Sequence, residues 1–316
     1  VAMSTKAIER RQAQGRKGES RERRRNRICN TAMGYLFLSP VILGMLLFTL
    51  GPILFSFFVS FTKFNNIAFE EWVWFENYIN MFRNDSFVKS IRFTVLFALA
   101  SVPLGMVSSF FLAYVLNKPY KFMKVFRAIF YVPVIIPTVA STIIFRDIFA
   151  QRGVINDLLF RLGLPAYGFF DTPGTAFVSI LLYSLWGAGG SMLLWLASFN
   201  SISAVYYEAA EIDGARELDK LFRITLPMAT PMIFYNLIMA IISSLQSFSQ
   251  IYMLTNGSPM GSTNTMVLII YNYGIKYRES GIASAMAWFL FLIIFGLTMI
   301  VFKTNKWVYY EGGEGQ

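Results

Sequence analysis

Absence of charge organises this chain more than any motif does. No Asp, Glu, Lys or Arg occurs between Arg27 and Lys63, Arg92 and Lys118, Arg127 and Arg146, Asp171 and Glu208, Arg223 and Lys276, or Glu279 and Lys303. A helix rises about 1.5 Å per residue, so about 20 apolar residues cross a hydrocarbon layer about 30 Å thick. The fifth gap is longer than one helix needs, and the turn-forming residues NGSPMGSTN at 256–264 interrupt it. The spacing predicts an all-α polytopic membrane protein with six spans, near residues 34–61, 93–117, 127–149, 174–200, 228–254 and 281–303. Composition agrees: 55% of residues are hydrophobic and only 15% charged, with a mean hydropathy of +0.51.

Several chemistries are excluded at once. The chain has no histidine and Cys29 is its only cysteine, which removes disulfide frameworks, His/Cys zinc sites and Ser-His or Cys-His catalysis. No metal site and no catalytic residue is expected. The net charge of +10 owes much to ERRQAQGRKGESRERRRNR at residues 9–27, beside the first apolar run. A juxtamembrane basic segment marks the cytoplasmic side of a bilayer, and no nucleic-acid partner is expected.

The loop KPYKFMKVFR between spans 2 and 3 is also basic, whereas FEEWVWFENYINMFRNDSF between spans 1 and 2 is acidic and aromatic. Both termini are therefore expected in the cytoplasm. The organisation that follows is a basic cytoplasmic tail over 1–33, a six-span domain over 34–305 and a cytoplasmic tail over 306–316. The amino-terminal charge does not resemble a cleaved signal peptide, so the first span is expected to remain as an anchor.

Between spans 4 and 5, a loop at 201–227 breaks the apolar pattern with YEAAEIDGARELDKLFRITLP. Ala209, Ala210, Ile212, Ala215, Leu218, Leu221 and Phe222 recur near helical spacing, with Glu211, Arg216, Glu217, Asp219 and Lys220 mostly on other faces. This predicts one or two short amphipathic helices. Gly214 suits a left-handed corner between them, and Pro227 suits the first turn of span 5. A helix lying on lipid headgroups would fit the amphipathicity, but an anionic leaflet repels its carboxylates.

Glu208-Ala209-Ala210, Gly214, Ile224, Leu226 and Pro227 fit E-A-A-x3-G-x9-I-x-L-P, the EAA loop of permease subunits of bacterial ABC importers. Asp213, Ala215 and Phe222 meet the longer form of that motif, which resembles the carbohydrate, maltose-type branch. GYLFLSPVILGMLLFTLGPILFSFFVSFT and WFENYINMF are similar to that branch's first span and following external segment. The chain lacks a large inserted external domain and looks like a six-span relative of the larger maltose permease subunit. The resemblance implies a bacterial cytoplasmic-membrane permease that docks the loop on a separate ATPase, with Glu208 as a polar contact and Gly214 as the backbone corner. It further implies a paralogous permease as heterodimer partner, two ATPase subunits holding ATP and Mg, an external solute-binding protein and a sugar as cargo. No cofactor is expected on this chain, where no phosphate loop of the G-x-x-x-x-G-K-[ST] type occurs.

Polar residues at membrane depth face a bundle interior or a cavity. Span 5 carries Asn236, Ser243, Ser244, Gln246, Ser247, Ser249 and Gln250, and span 4 carries Gly187, Gly189, Gly190 and Ser191 beside Trp186. Interhelical packing explains the glycines and serines equally well. Gln246 and Gln250, one turn apart if the helix is continuous, would present amides on one face. With the family's sugar site in spans 4 to 6, Trp186, Gln246, Gln250 and Tyr252 are the candidate substrate contacts. Thr255, Gly257 and Pro259 resemble the family's external turn near the solute-binding protein, or form a simple loop. An ion-coupled secondary transporter is the alternative, though no carboxylate lies within the spans.

Overall fold

The computed structural model describes residues 33–65 and 67–309. The basic segment at 9–27, Cys29 and the end of the chain from residue 310 lie outside the described residues. Two compact units divide the chain between Phe58 and Val59. The described part of the first lies in one apolar helix, α1 (Met33–Val59), whose last residue opens the second. Pro52 deprives α1 of an amide donor, and a π-turn over Leu46–Leu50, closed by the Gly51 amide on the Leu46 carbonyl, carries the backbone past the ring.

The second unit opens with a feature that an all-α reading omits. Thr62–Phe64 (β1) and Phe69–Trp72 (β2) form an antiparallel hairpin, pairing Thr62 with Trp72 and Lys63 with Glu71. Aromatic and Thr residues favour an extended, half-covered ribbon, and opposite charges face one another across it. Short, acidic and aromatic, the segment shows no period-2 run long enough to read as strand.

After α2 (Glu76–Arg83), the helix α3 (Asp85–Leu116) forms the mast of the unit. Its 32 residues correspond to roughly 48 Å. Asn84 caps it by accepting from the Phe87 amide at 3.1 Å. Three buried clusters lie along this mast. Phe87 meets Met81, Leu245, Met266 and Met286; Phe93 and Phe97 meet Phe145, Ile180 and Ile251; Ala113 and Leu116 meet Met192, Trp195 and Ala229.

Three of the remaining apolar runs are bent helix pairs. α4 (Met123–Ile135) and α5 (Thr138–Ile148) meet at 103°. The cause is Pro137, which forces the preceding Ile136 into extended backbone at φ −70°, ψ 129°. α7 (Pro173–Trp186) and α8 (Gly189–Ser201) meet at 45° across Gly187 and Ala188, after a short helix, α6 (Val154–Arg161). α9 (Ala204–Ile212) and α10 (Glu217–Met228) follow, and α10 meets α11 (Thr230–Leu245) at 67°. The fifth run departs most from the expected 228–254 span. The helix begins at Thr230 with Pro231 in its first turn, so Pro227 belongs to the arm before the bend.

The fifth run also ends early. Gln246 caps α11, Phe248 sits at φ −131°, ψ −67°, and α12 (Ser249–Leu254) starts a new short helix. α13 (Met266–Tyr271) and α14 (Ser280–Lys303) complete the unit. By length and composition, three described helices can each cross a membrane, or six spans result if each bent pair counts as one.

Candidate functional site

Two ends of the second unit differ in chemistry. At one, the hairpin packs on the start of α14: Asn77 donates to the Ser60 and Thr62 carbonyls at 2.9 Å, and Gly281 lets the Thr62 carbonyl approach where a Cβ would collide. The turn at 255–265 lies between α12 and α13 on this side. Thr255 and Thr263 share a hydrogen bond of 2.7 Å, Thr263 donates to the Ser258 carbonyl, and Asn256, Gly257, Met260 and Gly261 all have positive φ.

The other end carries the ion pairs of the loop between the fourth and fifth runs. Lys118, just past α3, pairs with Glu217 at 2.9 Å, and the Tyr309 amide donates to Thr230 at 2.8 Å. The connections between the second and third runs, between the fourth and fifth runs, and the chain following α14 therefore share one end. Here α9 ends in a Schellman motif. The Ala215 amide donates to the Ala210 carbonyl and the Gly214 amide to the Glu211 carbonyl, with Gly214 at φ +76°. Only glycine adopts that backbone freely, so the chain turns a corner and α10 leaves.

The corner is braced twice. Lys220 bridges Glu211 at 2.9 Å and Glu217 at 2.6 Å, while Tyr207 and Thr225 share a hydrogen bond of 3.0 Å between its two arms. Hydrogen bonds from Lys220 and Lys118 hold the Glu217 carboxyl down to about 2. A π-turn over Leu221–Thr225 leads into Leu226 and Pro227, absorbing the amide that proline lacks. Of the candidate coupling residues, Glu208, Ala209, Asp213, Gly214, Phe222 and Pro227 are exposed; Ala210, Ala215, Ile224 and Leu226 are half-buried. Apolar side chains lie open here as well: Ile212 is 88% exposed, Leu218 65% and Phe222 63%. These open apolar side chains stand beside the exposed carboxylates of Glu208, Glu211 and Asp213.

Midway along the mast lies a cavity of about 510 Å³. Its walls come from α3 (Ser101, Gly105, Ser109), Thr138 beside the α4–α5 break, α7 and α8 with their junction (Ser184, Gly187, Ser191) and α11 (Asn236, Ser243, Ser244), continuing to Ser249 and Gln250. Every residue lining it is uncharged. Hydroxyls also stitch the walls: Ser101 and Ser244 share a hydrogen bond of 2.8 Å, and the Trp195 indole donates to Ser109 at 3.1 Å.

Of the four candidate substrate contacts, only Gln250 lines the cavity, its amide donating to Ser247 at 2.5 Å. Gln246 is an exposed helix cap, and the break at 246–248 puts the two amides on separate helices. Trp186 lies outside the lining with its ring edge toward Phe145 at 6.2 Å, and Tyr252 stacks on Phe248 at 5.4 Å. The α3 serines and Thr138 were not singled out from sequence. Ser101 near Pro103 and Thr138 after Pro137 carried the usable signal, a hydroxyl beside a helix-perturbing proline. Among the described residues, no cluster of three or more metal-ligating side chains occurs.

A bundle of apolar helices around an uncharged, hydroxyl-lined cavity, with a braced polar corner at one end, defines an integral-membrane transport subunit. The chain belongs to the family of binding-protein-dependent transport system inner membrane components, whose pattern matches residues 101–308. It is 39% identical over 287 residues to the probable ABC transporter permease protein YesP of Bacillus subtilis, covering 89% of this chain and 93% of that one. It is 31% identical over 279 residues to the trehalose/maltose transport system permease protein MalF of Thermococcus litoralis, covering 87% and 94%. In fold it is similar to a bacterial ABC transporter involved in the import of the acidic polysaccharide alginate. The TM-score is 0.81 at 24% identity, over 88% of this chain and 96% of that one.

Proposed function

We propose that this chain forms one half of a sugar-conducting passage whose opening is driven from the corner at 204–228. It is a permease subunit of an ABC importer, and its cargo is a sugar or oligosaccharide handed over by an external solute-binding protein. The observation that carries the reading is the pairing of the cavity with the corner in one family member. Hydroxyls and amides around about 510 Å³ suit a polyhydroxylated solute in water-filled passage, with no fixed charge to trap it. The corner's exposed Ile212, Leu218 and Phe222 supply an apolar face for the groove of an ATPase subunit, which holds ATP and Mg. Glu208 and Asp213 add exposed carboxylates at its edge.

On this reading the end with the α9–α10 corner is cytoplasmic and the β1–β2 end external, where the turn with Thr255, Gly257 and Pro259 meets the solute-binding protein. A paralogous permease completes the passage as a heterodimer with two ATPase subunits. ATP-driven approach of the ATPases moves the corners and opens the cavity to alternate sides of the membrane. Pull-down from native membranes in mild detergent, with partners identified by mass spectrometry and the captured binding protein screened on a glycan panel, tests this. Recovery of an ATPase, a second permease and a glycan-binding protein supports it. A stable, active carrier lacking any ATPase would replace it with ion-coupled transport.

A further inference from the structure

We propose that Lys118 is a positioning residue for energy coupling: it fixes the angle of the α9–α10 corner against the α3–α4 hairpin, so that a push on the corner reaches the cavity wall. The inference rests on the coupling reading of that corner. Four charges run in alternating sign from the hairpin into the corner, Lys118 to Glu217 at 2.9 Å, Glu217 to Lys220 at 2.6 Å and Lys220 to Glu211 at 2.9 Å. The Lys220 side chain is 13% exposed while its partners Glu211 and Glu217 are open to solvent, and Lys118 is the member that crosses to another run. One Glu217 oxygen takes each lysine, and the carboxylate thereby joins the second arm of the corner to the end of the mast.

Lys118 is itself held to the mast. Its ammonium lies 5.5 Å from the Tyr114 ring centroid, on the last turn of α3. Arg127 donates from Nε and Nη2 to the Leu116 carbonyl at 3.0 and 2.7 Å, tying the end of α3 to α4. A displacement of Glu217 is therefore delivered to α3, which supplies Ser101, Gly105 and Ser109 to the cavity, and to α4, which leads to Thr138. Without Lys118, the corner keeps its internal braces but loses this charged link to the hairpin.

The test uses the assembled importer in proteoliposomes, with Cys29 replaced by serine and Ser243→Cys as a cavity reporter. The readout is the rate of labelling by N-ethylmaleimide with and without ATP and vanadate. K118Q is expected to leave assembly and ATPase activity intact and to shrink the nucleotide-dependent change in labelling about two- to fivefold, the scale of one exposed ion pair. K118R is expected to restore it, and K118Q/E217Q to match E217Q alone, because E217Q already removes the link to Lys118 together with the pair to Lys220. If K118Q fails to assemble, E217Q reads the pair from its other side. A K118Q and E217Q response equal to wild type overturns the link and leaves the coupling reading standing. A wild-type importer whose labelling ignores nucleotide overturns both.

Discussion

Gly189 offers the sharpest test of how the bent helices are packed. A Cβ there would collide with the Phe130 carbonyl oxygen, lie 2.8 Å from the Phe130 carbonyl carbon and 3.3 Å from Tyr131 Cα. α8 therefore crosses α4 backbone to backbone, the close approach that small residues permit between membrane helices. Carbon atoms rest at about 3.5 Å or beyond, so in Gly189→Ala the Phe130 carbonyl carbon alone demands about 0.7 Å of separation and its oxygen more, and no side-chain rotamer can supply it. Such overpacking costs about 1–3 kcal/mol. At roughly 2–4 °C per kcal/mol, a penalty of about 2 kcal/mol lowers the melting temperature by about 4–8 °C. Fluorescence-detected size-exclusion melts of the solubilised permease measure this directly. Gly190→Ala is the internal control, because its Cβ would lie 3.7 and 3.8 Å from the Val134 methyls, an ordinary contact. Equal melting of G189A and wild type, or equal loss in G189A and G190A, would refute the backbone crossing.

Further outcomes follow from other contacts. Gly214→Asp is expected to insert and fold, since a Cβ there meets no neighbour, yet to lose uptake, because a side chain and a strained φ of +76° are placed on the proposed docking face; an uptake assay beside a membrane-insertion blot separates the two. Ser109→Ala leaves the buried Trp195 indole without its acceptor and should cost about 1–3 kcal/mol in the same melts, whereas Ser108→Ala, whose hydroxyl serves only its own helix, should cost little. Glu217 is held to about 2, so its contribution is present above its ordinary 4.5 and lost as pH falls through about 2; Lys118 is raised above 10.5 by its bond to Glu217, so its share is lost only above that value. The K118Q/E217Q coupling, measured by double-mutant melts, should therefore be constant between about pH 5 and 9; a change across that window would show that the pair is not the charged one described.

Charge spacing located the long apolar elements because a missing charge is a one-dimensional signal that survives any packing. Gly214 was readable for a similar reason: a lone glycine between two amphipathic stretches has one inexpensive use, the left-handed helix end it adopts. The breaks were harder. The 103° bend was written in Pro137 and its restriction on Ile136, but a charge-free run masks a break when only its length is considered. The break at 246–248 has no Gly or Pro to mark it, so Gln246 and Gln250 looked like neighbours on one helix face. The hairpin at 62–72 is held by pairing and aromatic contacts rather than by a long alternating pattern. The cavity was legible only on its span 5 and span 4 sides, since its α3 wall depends on how the mast is rotated, which no local pattern sets.

The most direct test of coupling through the corner is a photo-crosslinking residue at Ile212, the 88% exposed side chain beside Gly214, in the importer within its native membrane. Irradiation is predicted to join this chain to an ATPase subunit, with a yield that changes when ATP and vanadate are added. Crosslinking only to lipid, with no ATPase captured and no response to nucleotide, would contradict the assignment of residues 204–228 as the site where ATP drives this permease.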